Sequence, residues 1–241
     1  MKQVMIYFLL FIIYATLGWL IEVIGKLIEK KRFINRGFLI GPYCPIYGFG
    51  ALAITFLLKK YTSDIIALFV MAILVCGTLE YLTSYFMEKI FHARWWDYSN
   101  KKFNINGRVC LNTIIPFGLL GCFIMYVSNP FLLKVLNALP DLALYILSTT
   151  LFIVFIVDNI ISFNVISTVR TTTKSLYKEL DNTEEITKKV KEILLSKSAL
   201  HRRLIHAYPK LEAIKEKIKK RTEQLKENTE KIKGNIEQKF K

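Results

Sequence analysis

The sequence predicts an all-α protein: a polytopic membrane helix bundle of five transmembrane helices, N-out and C-in, followed by a helical, coiled-coil-like cytoplasmic tail. Three observations predict it. Five apolar runs are separated by polar segments. A hydrophobic content of 53% and a mean hydropathy of +0.34 coexist with a net charge of +15, which one soluble domain rarely combines. The basic residues also fall unevenly among the connecting segments. The composition shifts near Arg170: residues 1–169 carry 14 Lys/Arg against 8 Asp/Glu, and residues 170–241 carry 20 against 11. We therefore expect a transmembrane domain over 1–169 and a basic, amphipathic helical tail over 170–241.

The first span is read over residues 4–24, close to the roughly 20 residues that cross a hydrocarbon core. A signal peptide is the competing reading. Only Lys2 stands before the apolar run, and no small-x-small cleavage pattern precedes Glu22, so the segment reads as an uncleaved span. The second, over 42–58, is shorter and interrupted by Pro45, Gly48 and Gly50. The third covers 65–87, the fourth 109–127 and the fifth 142–167. Between the last two, Asn129 to Pro140 is apolar but too short to cross, and reads as a loop or an interfacial helix.

Orientation follows from the loop charges, because positive residues are retained on the cytoplasmic side. The segment between spans one and two holds Lys26, Lys30, Lys31, Arg32 and Arg36. That between three and four holds Lys89, Arg94, Lys101, Lys102 and Arg108. The opposite side has Lys2, Lys59, Lys60 and Lys134. Both long loops and the tail are thus expected on the cytoplasmic side.

The loop from His92 to Arg108 is aromatic, polar and basic, and longer than a passive connector. Trp95, Trp96, Asp97, Tyr98, Asn104, Asn106 and Arg108, with Arg36 from the first loop, form a candidate site on the cytoplasmic face. The plainer reading gives the tryptophans to an interfacial belt and Asn106-Gly107 to a turn. Arg108 is placed to pair with Asp97 in its own loop or with Glu80 on the preceding helix.

Three acids lie inside spans: Glu22, Glu80 and Asp158. At 1.5 Å per residue they precede the next basic residue by roughly 6, 13 and 18 Å, which puts all three in the cytoplasmic half. A carboxylate facing lipid is costly, so each should face the bundle interior or water. Helical spacing agrees: Gly18, Glu22 and Gly25 share a face, as do Gly77, Glu80 and Ser84, and as do Asp158 and Ser162. They are candidate functional acids. The structural alternative is that ion pairs to Arg36 or Arg108 fix the bundle.

Acid-bearing helices are twice followed by an Asn/Arg/Gly turn and a Pro/Gly-broken span: Glu22, Asn35-Arg36-Gly37 and Gly41-Pro42, then Glu80, Asn106-Gly107-Arg108 and Pro116 with Gly118 and Gly121. Paired broken spans point to binding sites in transporters. In the tail, Ile186, Val190, Ile193, Leu200 and Leu204 keep helical spacing, with Lys197 at one seam position. Leu211, Ile214, Ile218, Leu225, Ile232 and Ile236 continue the stripe beyond Pro209. Two amphipathic helices are expected, paired with each other, with another chain or with anionic lipid. Acids interleave with the lysines and no aromatic platform accompanies them, so nucleic acid is not expected as a partner.

These residues carry a resemblance. Gly18-Trp19-Leu20-Ile21-Glu22, the run from Asn35 to Gly48, Glu80-Tyr81-Leu82-Thr83-Ser84, and above all Trp96-Asp97-Tyr98-Ser99 with Phe103 to Leu111 resemble the bacterial family called putative ABC-transporter type IV, the CmpB-like permeases. The match spans about residues 5–165, and Ala207-Tyr208-Pro209-Lys210 is a weaker echo in the tail. The resemblance implies a multi-pass protein of the bacterial inner membrane, a permease subunit without established catalytic residues.

No G-x-x-x-x-G-K-[ST] occurs, so ATP-driven transport would need a separate ATPase subunit. Five spans are few for a pathway, which implies an oligomer. No H-E-x-x-H or nucleophile elbow is present, and His92, His201 and His206 lie outside the spans, so an enzyme is not expected. Cys44, Cys76, Cys110 and Cys122 are scattered without ligand spacing, so neither metal, other cofactor nor disulfide is expected. Two functions remain: a transporter permease subunit using the intramembrane acids, and a membrane-anchored scaffold or sensor acting on a cytoplasmic protein through its tail.

Overall fold

The computed structural model describes residues 1–180 and 182–214. The chain is helical almost throughout. α1 (Lys2–Lys30) ends where Lys31 turns left-handed at φ 53°. α2 (Pro45–Leu57) starts on a proline, whose missing N–H costs nothing in a first turn. α3 (Ile65–Phe91) is capped by the Asp64 carboxylate, which accepts from the Ile66 and Ala67 amides, and it stops at left-handed His92. Then come β1 (Ala93–Arg94), β2 (Asn104–Ile105), β3 (Val109–Cys110) and α4 (Leu111–Phe123). A π-helical turn at Ile124–Ser128 joins α4 to α5 (Asn129–Ala138), and α6 (Asp141–Glu179) follows. α7 (Thr183–Lys197) is capped by the Asn182 side chain and α8 (Ala199–Ala207) by Ser198, and β4 (Glu212–Ala213) comes last.

Four stretches are long and apolar enough to cross a membrane: Lys2–Lys30, Ile65–Phe91, Leu111–Ala138 and Asp141–Glu179. Their outward surfaces are carpeted with exposed Ile21, Ile28, Leu74, Phe86, Ile153 and Phe163. A continuous apolar surface of this kind is untenable in water and suits hydrocarbon. The expected second span, 42–58, is the 13-residue α2, only about 20 Å long. The segment from Asn129 is neither a loop nor a detached helix. It continues α4, because the π turn lets the Asn129 amide reach back to the Ile124 carbonyl just where Pro130 has no N–H to give.

The bundle has two dissimilar ends. At one, Lys2 pairs with Asp141 at 2.7 Å and the Tyr126 hydroxyl donates to the Thr62 carbonyl. A core of Ile6, Leu10, Ile54, Leu58, Leu68, Leu136 and Leu144 runs inward from there. At the other, the 31–44 loop, the 92–110 loop and the tail share a second core: Phe91, Trp95, Val169, Ile186, Val190, Leu194, Leu204 and Leu211, with Phe38 and Trp96 packed against it.

The described part of the tail is therefore folded onto the bundle. α6 runs straight through Arg170, the composition boundary, and α7 and α8 fold back on it. The helical stripe expected to continue through Leu211 and Ile214 does not: Glu212–Ala213 is a strand, antiparallel to Ala93–Arg94. Pro209 breaks the helix and pushes Tyr208 out of the α region, and the chain then extends to place the Ile214 amide on the His92 carbonyl. Ile218, Leu225, Ile232 and Ile236 lie outside the described residues.

Candidate functional site

The end of the bundle that carries the 31–44 and 92–110 loops holds an open cavity of about 800 Å³, reached by Glu22, Arg36, Tyr47, Glu80, Tyr98 and, from the tail, Tyr208. Helices α1, α2, α3, α4 and α6 supply its walls. Of the four acids that line it, Glu22, Glu29, Glu80 and Asp97, the first contrast is between Glu22 and Glu80, which are held differently.

Glu22 is paired. The Arg36 Nε stands 3.2 Å from one carboxylate oxygen and the Tyr47 hydroxyl donates to the other at 2.8 Å. Gly18, one turn earlier, lets Tyr47 in, since a Cβ there would run into the ring. Gly25, expected on the same contact face, has open space. Arg36 also donates to the Ala207 carbonyl and lies 5.2 Å from the Tyr208 ring centre, so one guanidinium ties α1 to the tail.

Glu80 has only 7% of its surface exposed. The Tyr98 hydroxyl approaches it at 3.4 Å and Thr113 at 3.5 Å, both long contacts. No Lys or Arg among the described residues forms an ion pair with it. The absent cation distinguishes it from Glu22.

Asp158 sits behind the cavity wall and is fully used. It accepts from the Ile40 amide at 2.9 Å, the Gly41 amide at 2.7 Å, Tyr43 at 2.8 Å and Ser162 at 2.7 Å. The acid therefore anchors the Gly41-Pro42 loop that leads into α2. The expected sharing of a face with Ser162 is a direct hydrogen bond.

The aromatic loop is folded, and its tryptophans are not a lipid belt. Trp95 is 3% exposed and lies among Phe38, Phe91 and Tyr208, while Trp96 donates to the Arg108 carbonyl at 3.1 Å. Asn104 donates to the Lys101 and Ser99 carbonyls and accepts from the Gly107 amide. Asn106, left-handed at φ 53°, donates to the Tyr81 hydroxyl on α3. Asp97 accepts from the Ser99 amide and hydroxyl at 3.0 and 2.6 Å. Gly107 has φ +66°, and a Cβ there would strike both Asp97 and Ser99.

Arg108 pairs with neither Asp97 nor Glu80. Its Nη2 lies 2.9 Å from Glu88, Nη1 donates to Ser84 at 3.3 Å, and the rings of Tyr81 and Tyr85 flank it. The β2–β3 hairpin carries Arg108 past Glu80 to the level of Ser84 and Glu88, two turns further along α3. Arg94 bridges Glu88 at 3.3 Å to Asp97 at 3.4 Å, so the four charges form one chain. Burial works against ionisation of Asp97, but Ser99, Arg94 and Lys210 outweigh it and hold the carboxyl below its ordinary range. Burial above all, together with the Glu80 and Glu22 charges, pushes the Tyr98 hydroxyl up, so it stays a donor.

Tyr43, Tyr47, Glu88, Arg94, Thr113 and Tyr208 were not singled out as site residues in the sequence. Glu88 was findable, since Glu80, Ser84 and Glu88 follow at i, i+4 and i+8. The tyrosines carry no local signal. No group of His, Cys, Asp or Glu among the described residues could hold a metal ion.

Apolar helices of this length define a helical membrane protein. Residues 9–163, more than half of the chain, match the family described as Putative ABC-transporter type IV, and the chain belongs to that family. No curated protein and no solved structure matches it.

Proposed function

We propose that the chain is the permease subunit of a transporter, with the cavity beneath the cytoplasmic loops as its solute site. The observation that carries this reading is Glu80: a nearly buried carboxylate with no cationic partner among the described residues, facing a cavity large enough for a small solute. A charge so placed in a membrane bundle ordinarily serves a substrate, an ion or a proton. Glu22, already neutralised by Arg36, and Asp158, saturated by hydrogen bonds, act as supports. Of the site residues on the 92–108 loop, Trp95, Trp96, Asp97 and Tyr98 line the cavity, while Asn104, Asn106 and Arg108 hold the loop in place.

In this reading the bundle crosses the bacterial cell membrane five times, N-out and C-in, with 1–169 as the transmembrane domain and 170–241 as a cytoplasmic tail. The placement of the 58–64 turn near Tyr126, at the opposite end from the 31–44 loop, supports a crossing by short α2. The chain is not itself an enzyme; it assembles as an oligomer and takes its energy from a separate ATPase. A second reading, a scaffold or sensor acting through the tail, is favoured by the docking of Tyr208 between Phe38 and Trp95.

Affinity purification of the tagged, full-length protein in mild detergent tests the choice. An ATPase that co-purifies, and whose activity falls with Glu80→Gln, is the expected result. A soluble partner lost on truncation after Arg170, with no ATPase present, would overturn the permease reading in favour of the scaffold.

A further inference from the structure

A second cleft lies outside the cavity, on the far side of the 31–36 loop. It measures about 330 Å³ and is lined by Arg32, Phe33, Ile34, Asn35, Arg203 and His206. We infer that this cleft binds a phosphate group, carried either by the headgroup of an anionic membrane lipid or by a free phosphate. The inference goes beyond the transport reading and does not depend on it.

Charge is the first argument. Two guanidinium groups and an imidazole meet in the cleft, and none of its lining residues is acidic. Arg32 makes no ion pair among the described residues, so its charge is available.

Arg203 supplies the second. Its Nη2 donates to the Phe38 carbonyl at 2.9 Å, while Nε and Nη1 are buried without a hydrogen-bond partner. A buried unsatisfied donor on a charged group is costly. The carboxylate whose charge Arg203 feels is Asp158, and its oxygens are already committed to Ile40, Gly41, Tyr43 and Ser162. A phosphate oxygen would meet the remaining need, and a guanidinium fork suits phosphate geometry.

Position is the third argument. The cleft opens just past the end of α1, beside Phe33, which is 66% exposed and packs edge-on against Trp19. The Trp19 indole N–H in turn donates to Asn35 at 2.7 Å, fixing the loop against the helix. A basic cleft rimmed by an exposed aromatic at a helix end has the polarity of a lipid's phosphate-to-acyl junction, and such basic pockets recognise anionic headgroups.

The test uses purified full-length protein in a nonionic detergent, titrated separately with dioleoylphosphatidylglycerol, dioleoylphosphatidylcholine and inorganic phosphate, and reads the melting temperature. Phosphatidylglycerol should raise it by about 2–4 °C and phosphatidylcholine should not. Arg32→Gln combined with His206→Gln, both exposed in the free protein, should leave the lipid-free value unchanged and abolish most of the gain. Arg203→Lys, which keeps a donor for Phe38, should lower the gain as well. An equal gain with inorganic phosphate, lost in the same variants, would assign the site to a free phosphate and uphold it. No gain with either anion, an equal gain with phosphatidylcholine, or a gain that survives Arg32→Gln/His206→Gln would overturn the inference.

Discussion

The Arg108 guanidinium stands 2.9 Å from the Glu88 carboxylate, with 9% and 17% of the two side chains exposed. This pair pins the 92–110 loop to α3, and Arg94 extends it to Asp97. Removing one member of a buried pair strands the other charge, at about 3–5 kcal/mol. Arg108→Ala and Glu88→Ala should each destabilise the protein in detergent by close to that amount. The double variant should lose clearly less than the sum. Arg108→Lys should recover only part, because an ammonium cannot serve Glu88 and Ser84 as a planar fork does. Additive losses in the Arg108/Glu88 cycle would contradict the pairing; strong coupling of Arg108 to Glu80 would restore the partner expected from the sequence.

The tail is seated through Tyr208, stacked 4.5 Å from Phe38 and covered by Arg36. Truncating a buried aromatic costs about 3–5 kcal/mol, more than a peripheral element of this size is expected to withstand. Tyr208→Ala should therefore release α7 and α8 while the bundle stays folded. Limited proteolysis should show new cleavage between Ser198 and Lys210, with residues 1–170 intact. If Tyr208→Ala resists protease like the parent, the stack is not what holds the tail.

Acid should loosen the loop before the bundle. Burial disfavours the Asp97 charge, but the Ser99 hydrogen bonds, Arg94 and Lys210 overcome it and lower the folded pKa. A lowered carboxyl contributes stability that is full above its unfolded value near 3.9 and is lost as pH falls through the folded pKa. Tryptophan fluorescence, followed from pH 6 to well below about pH 4, should show a transition in the parent that Asp97→Asn lacks. The same transition in both would place the titrating group elsewhere.

Topology is tested at three points. Reporters inserted after Lys101, Ser63 and Leu139 should read cytoplasmic, external and external in turn, because ten loop Lys/Arg lie on one expected side and three on the other. A cytoplasmic reading at Ser63 or at Leu139, with Lys101 also cytoplasmic, would rule out the five-span arrangement.

What the sequence disclosed of this arrangement follows the range of each interaction. Asp158 and Ser162 lie one helical turn apart, and Glu80 and Ser84 likewise, so their shared faces could be read from spacing. The partners of Asp158 on the 40–43 loop lie 115 or more residues away, and no local pattern carries them. Arg108 was expected near the right helix but two turns short of its partner, because the length of the β2–β3 hairpin sets its height on α3. Asn129-Pro130 looked like a break, yet the π turn absorbs the proline; periodicity arguments assume a regular α-helix and pass over this. At Pro209 the apolar stripe continues in sequence after the backbone has left the helix.

Glu22, Glu80 and Asp158, the three acids expected within spans and alike in the sequence, should separate in their response to loss of charge. Asp158→Asn keeps the shape but turns one acceptor into a donor facing a backbone N–H or a hydroxyl. With four donors converging on it, the change should cost about 2–3 kcal/mol. Glu22→Gln weakens a hydrogen bond from Tyr47 and leaves Arg36 without its counter-charge. Because that pair is partly exposed, the cost should be about 1 kcal/mol, the upper end for a solvated pair. Glu80→Gln differs from both. It removes a charge that has no cation beside it among the described residues and accepts only long bonds from Tyr98 and Thr113, so the protein should keep its stability within about 1 kcal/mol or gain slightly. Denaturant or thermal unfolding in detergent orders the three as Asp158 worst, Glu22 intermediate and Glu80 tolerated. A Glu80→Gln variant as unstable as Asp158→Asn would mean that Glu80 is a structural anchor, and the cavity would lose the residue that marks it as a solute site.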